Sequence, residues 1–177
     1  MGYYVNTTGN DFIIPKENFE DAYKAMCDIN QHDELKRGGG GGEKWFSWMR
    51  PNYPEVCKTI FDILDELGFD YWTDDITGDI TGVSYDNKMG NEDIFFCAIA
   101  PFVKEGSYVN WNGEDHEQWQ WLFTEGRMCI VPAVLTYDVE QASEVVAVDY
   151  SSGEGNTLIR TERNVNEIIF GGVAPSV

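Results

Sequence analysis

The chain has 177 residues, a formal net charge of -19, and 42% hydrophobic and 14% aromatic residues. That length supports one domain with a substantial core, and the apolar and aromatic content is too high for a disordered chain despite the charge. The charge excludes nucleic acid and anionic membranes as direct partners, and no apolar run approaches the roughly 20 residues that span a bilayer. With no signal-peptide pattern at its N-terminus, the protein is expected in the cytoplasm.

At the N-terminus, Tyr3, Tyr4 and Val5 and then Phe12, Ile13 and Ile14 flank a Thr-Thr-Gly-Asn signal, which reads as two short strands or one strand with a return. From Lys16 to about Asn30, Phe19, Ala22, Tyr23, Met26 and Cys27 repeat at the spacing of one helical stripe. The run Gly38 to Gly42 predicts a flexible loop over 36–44, and Trp45, Phe46, Trp48 and Met49 follow it as an aromatic knot anchoring the loop's far end.

Pro54 opens a second helix, with Val56, Ile60, Ile63, Leu64 and Leu67 as its stripe and Gly68 as its left-handed cap. A hairpin is predicted from 69–73 and 80–85 around an Asp and Gly turn, then a short helix capped by Asn91, burying Ile94, Phe95 and Ile99, and stopped by Pro101. Ser107 to Trp111, Glu117 to Phe123 and Arg127 to Val131 read as a meander whose first turn is Asn112-Gly113. On its middle strand Trp119, Trp121 and Phe123 share one face, predicted to be buried under helices.

The expected fold is therefore α+β, an antiparallel sheet or meander against two or three helices. Residues 1–139 form the domain, and 140–177 add strands or an appended tail.

Chemistry is harder to find. Cys27, Cys57, Cys97 and Cys129 lie at least thirty residues apart with no histidine at ligand spacing, so no zinc site is expected, and the thiols are read as core or boundary packing. His32 and His116 sit among acids in turn-like context, and Asp74, Asp75 and Asp79 lack the spacing of a calcium loop. No metal, cofactor or catalytic residue is assigned. The informative feature is charge placement: residues 51–100 hold eleven acids against two bases, Lys58 and Lys88. That field favours a basic protein partner. The candidate contact residues, chosen from charge placement alone, are Asp62, Asp65, Glu66, Asp70, Asp74, Asp75 and Asp79, with Glu114, Asp115 and Glu117 as a second cluster at the meander's first turn.

The stretches MGYYVNTTG, KWFSWM, YPEVCKTIFDILDELGFD and EDIFFCAIAPFVKEGSYVNWNGEDHEQWQWLF resemble a family of small acidic proteins carried by phages and mobile elements of gut Firmicutes. Some members of that family are similar to a type II-A anti-CRISPR protein, an inhibitor of the Cas9 nuclease. The resemblance covers roughly 1–137. It departs from the family pattern at His116, where a glycine turn is expected, and in the short, plain Gly38–Gly42 run. What it implies is a non-enzymatic inhibitor of Cas9, with or without guide RNA, whose carboxylates stand in for phosphates in the nuclease's basic channels. The alternative is a phage protein that sequesters or processes a nucleotide-like molecule in a pocket lined by Trp45, Trp48, Trp111, Trp119 and Trp121.

Overall fold

The computed structural model describes residues 2–37, 42 and 44–134, and the backbone of 144–145 and 160–161. The strands are β1 (Tyr4–Asp11), β2 (Asp70–Thr73), β3 (Ile80–Ser84), β4 (Asp86–Lys88), β5 (Tyr108–Gly113), β6 (Gln118–Thr124) and β7 (Arg127–Pro132); the helices are α1 (Phe19–Asp28), α2 (Tyr53–Val56), α3 (Ile60–Leu67) and α4 (Glu92–Ile99). Five strands pair antiparallel in the order β4-β1-β5-β6-β7, and β2 and β3 form a separate hairpin. The fold is α+β. The chain divides into two compact units, Met1–Ala133 and Val134–Val177. In the second, β8 (Glu144–Val145) pairs antiparallel with β9 (Arg160–Thr161); the other strands expected after residue 140, and Gly38 to Gly41 of the glycine loop, lie outside the described residues.

The aromatic face of the meander is the floor of the core. Trp121 and Phe123 are buried on β6, and α4 lays Phe96 over them, with ring centroids 5.1 Å from Trp121, 5.5 Å from Phe12 and 4.8 Å from Phe69. Trp119 differs from its strand-mates. It is only half-buried, stacked on Trp111 at 6.1 Å with ring planes 5° apart, because it sits toward the strand's open start. The loop after the glycine run is pinned by Phe46 and Met49, both buried, with Phe46 packed edge-on to Phe95 at 5.1 Å. Trp48 is half-exposed.

Several local expectations are corrected. Residues 4–11 form one continuous strand, and the Thr-Thr-Gly-Asn signal is a bulge: the register to β5 shifts between Thr7 and Gly9. Asn112 and Gly113 belong to β5, paired with Gln118 and Val5, so the turn passes to Glu114, Asp115 and His116. Gly113 is needed for space rather than for turning, since a Cβ there would sit 2.0 Å from the Tyr3 hydroxyl oxygen. Asn91 precedes α4 but makes no side-chain cap; its Oδ1 instead accepts from the Ser47 amide at 2.8 Å, tying the aromatic knot to the helix start. Ile94 is half-buried, while Phe95, Phe96 and Ile99 are buried. Cys57 is buried and Cys27 half-buried, yet Cys97 and Cys129 are exposed, against the packing role expected of them.

The predicted second helix is broken in two. After α2 the chain turns extended at Cys57, and Thr59 restarts it: the Thr59 hydroxyl accepts from the Asp62 amide at 3.2 Å, while Asp62 Oδ2 accepts from the Thr59 amide at 2.8 Å. This capping box outweighs continuity because it satisfies two otherwise orphaned donors at once. Val56, expected in the stripe, is exposed as a result. Gly68 closes α3 in the left-handed region, φ 84°, as its position predicts. Thr59→Ala is expected to lower unfolding free energy by about 1 kcal/mol, and Thr59→Ser, which keeps the hydroxyl, to stay within a few tenths of wild type, measured by urea unfolding.

Candidate functional site

The acidic residues singled out by charge fall into two structural kinds. The first kind is already bonded. Asp62 Oδ2 accepts from the Lys58 amide at 2.8 Å and from the Thr59 hydroxyl at 2.9 Å in addition to its capping bond, and these donors, the Lys58 amide first, hold its pKa below the usual carboxylate value. Glu66 is paired with Arg50, whose Nε donates at 3.2 Å. Asp74 Oδ1 accepts from the amides of Thr77 at 2.7 Å and Ile76 at 2.8 Å, which lower its pKa and fix the tip of the β2–β3 hairpin. Asp79 Oδ1 accepts from the Lys16 amide at 2.8 Å, and Glu117 accepts from the Tyr3 hydroxyl. That last bond depresses the Glu117 pKa and pushes the Tyr3 hydroxyl up to about 12.

The second kind comprises Asp65, Asp70, Asp75, Glu114 and Asp115. All are exposed, and their side chains have no hydrogen-bond or ion-pair partner among the described residues. Asp65 stands on α3, Asp70 opens β2 and Asp75 lies in the hairpin turn, so their backbones are held by a helix capped at both ends and by a turn pinned by Asp74 and Asp79. Glu114 and Asp115 sit at the β5–β6 turn, anchored by the Glu114 amide donating to the Tyr4 carbonyl at 3.0 Å. These five carboxylates, without a side-chain partner among the described residues, thus stand on backbone fixed by helix caps and turns. The structure removes Asp62, Glu66, Asp74, Asp79 and Glu117 from the set of uncommitted charges.

Counting charges by sequence window overstated the field, because Arg50 and Lys16 come in from outside residues 51–100: Arg50 onto Glu66, and Lys16 against Gly78 of the hairpin turn. Two features went unread altogether. One is an aromatic ridge, Phe19, Phe61 and Tyr71, half-buried beside Asp65; the clue was Phe61 lying off the apolar stripe of α3. The other is Glu92, buried at 3% exposure, which accepts from the Gly90 amide and the Tyr85 hydroxyl. A first-turn glutamate ordinarily faces water, so no sequence signal marked it.

The tryptophans of the alternative reading do not gather around one opening. Trp111 and Trp121 are buried in the core, and Trp48 is half-exposed at the start of the loop anchored by Phe46. A depression of about 360 Å³ does lie against Trp111 and Trp119, but its polar lining is Thr8, Asn110, Gln118 and Gln120, with no lysine or arginine for a phosphate. His32 pairs with Glu34 at 2.8 Å in the open, and His116 is an exposed turn residue at φ 70°. Among the described residues no three His, Cys, Asp or Glu side chains converge as a metal site, and no helix is long and apolar enough to cross a membrane.

Neither a protein family model, nor a curated protein, nor a solved structure matches this chain.

Proposed function

We propose that the protein is a non-enzymatic binder that engages a basic, nucleic-acid-handling protein in a host bacterial cytoplasm through its uncommitted carboxylates. Cas9, with or without guide RNA, is the partner put forward, on the strength of the anti-CRISPR resemblance. The observation that carries the binding mode is the placement of Asp65, Asp70 and Asp75: exposed charges without partners among the described residues, on backbone fixed by the α3 caps and the hairpin turn. Charge carried on fixed backbone loses less entropy on docking than charge on a mobile segment, and complementary potentials raise the association rate and reject acidic competitors. Occupying a basic channel needs no reaction.

The test is the Asp65→Lys, Asp70→Lys, Asp75→Lys triple variant. Since those side chains make no bonds among the described residues, its melting temperature is expected to match wild type or exceed it through relief of like-charge repulsion. Binding to Cas9 is expected to weaken roughly tenfold or more at low ionic strength, from lost attractions of about 0.2–1 kcal/mol each plus new repulsions, and to converge on wild type as salt rises. Reversals at Glu66 or Asp74 are unsuitable here, because they would also break the Arg50 pair or the hairpin turn. Undiminished Cas9 binding by the triple variant at low salt would count against the carboxylates, and no binding by wild type would remove Cas9 as the partner.

A further inference from the structure

Charge alone does not tell arginine from lysine, but one flank of α3 carries a feature that does. Phe61 stands one turn before Asp65, so the two side chains share that flank. The Phe61 ring lies 5.0 Å from Tyr71 on β2 and 5.3 Å from Phe19 on α1, and all of these rings are only half-buried. An apolar groove of about 440 Å³ opens on the side of Phe61 that faces α1, lined in part by Phe19 and Tyr23, while Asp65 borders a separate depression with Asp62 and Glu66. Burial, and then the negative charges of Asp65 and Asp62, raise the pKa of the Tyr71 hydroxyl, so the Asp65 carboxylate lies within electrostatic reach of that ring. Asp62 is occupied by its capping bonds, which leaves Asp65 as the open acceptor among the described residues.

We propose that Phe61, Tyr71 and Asp65 form a clasp for an arginine side chain of a basic protein partner. This rests on the partner reading above and refines it. An arginine guanidinium is planar and weakly hydrated, so it can stack on an aromatic face while its fork of N–H donors pairs with a carboxylate. A lysine ammonium can pair with Asp65 but is strongly hydrated and gains less from the rings. Two lysines of the chain border the same groove, yet neither is bonded to Asp65: Lys24 is held by Glu20 at 2.7 Å, and Lys58 donates to the Glu55 carbonyl.

Titrating the full chain with hexa-arginine and hexa-lysine peptides by calorimetry, at about 50 mM salt where screening is weak, separates the possibilities. The arginine peptide is expected to bind about two- to fivefold more tightly, the equivalent of the ~0.5–1 kcal/mol of an exposed cation–π contact. Tyr71→Phe keeps the ring and should keep the preference; Tyr71→Leu should erase it; Asp65→Asn should weaken both peptides. Thermal melts establish that each variant is folded, and if Tyr71→Leu is not, Phe61→Leu replaces it with the same expectation. Equal affinity for the two peptides in wild type, or a preference that survives loss of the ring, overturns the clasp while leaving the acidic surface standing. If neither peptide binds, the clasp and the basic-partner reading are overturned together.

Discussion

Replacing Trp121 with alanine is expected to cost about 3–5 kcal/mol, the range for truncating a large buried aromatic. That is a large share of the roughly 5–15 kcal/mol by which domains of this kind are stable. Trp121 is 1% exposed, its ring centroid is 4.5 Å from Trp111 and 5.1 Å from Phe96, and it joins the sheet to α4. A cavity between two rigid layers collapses poorly, so the penalty should fall toward the upper part of the range. Its indole N–H has no acceptor among the described residues, so Trp121→Phe forfeits no hydrogen bond and should cost markedly less than the alanine. Trp119→Ala is the internal comparison: the same residue type on the same strand face, but half-buried and stacked only at the margin. Urea unfolding followed by far-UV circular dichroism would rank them, and a Trp119 loss equal to the Trp121 loss would mean that the core extends to the strand's open start.

These rungs also show what the sequence made legible. Strict alternation on β6 was readable because a pleated strand has a period of two and the aromatics kept to it. Burial along that face was only partly readable, since it depends on what packs over each position: Phe96 of α4 lies against Trp121, whereas Trp119 stacks on Trp111 toward the strand's open start. The same division recurs elsewhere. Gly68 was legible because a left-handed cap is a local requirement, whereas the break at Thr59 was hidden by an apolar stripe that runs through both helices. Asn112-Gly113 carried the strongest turn signal in the chain and is strand, because Gly113 answers to Tyr3, a residue 110 positions away in sequence. Polar β4, reading Asp-Asn-Lys, has no pattern of its own and exists because β1 offers it an edge.

For the acidic surface the limit is of another sort. Composition reveals how many carboxylates a segment holds, but not which are already occupied by an amide or a guanidinium. Asp62 and Asp65 look alike on a helical wheel; a threonine three residues earlier makes one a cap and leaves the other open. The local signal for that difference is the spacing of Thr59 to Asp62, a capping box that also marks where α3 starts.

Glu92 leads to an expected pH dependence of stability. Its carboxylate is 3% exposed and held by the Gly90 amide at 2.7 Å and the Tyr85 hydroxyl at 2.8 Å, which donates to it. Burial outweighs those donors and lifts its pKa above the ordinary 4.5, and the nearby Asp93 charge pushes the same way. A carboxyl group that binds its proton more tightly in the folded state loses stability as pH rises: nothing is lost below the unfolded value, the loss grows up to the folded value, and a constant penalty remains beyond it. Within that window the slope is about 1.4 kcal/mol per pH unit. Glu92→Gln cannot ionise and can rearrange its bonds, its amide donating to the Tyr85 oxygen while that hydroxyl donates to the Lys88 carbonyl, 2.7 Å away. The variant's stability minus that of wild type should therefore be flat below pH 4.5, climb above it, and level off, a shape that other titrating groups largely leave intact because they are common to both proteins. Glu92→Ala should instead be destabilised at every pH, by about 1–3 kcal/mol for each buried donor left unmatched. Parallel stability curves for wild type and Glu92→Gln between pH 4 and 8, measured by urea unfolding, would mean that the buried carboxylate titrates as it would in the unfolded chain, with its hydrogen bonds cancelling the cost of burial.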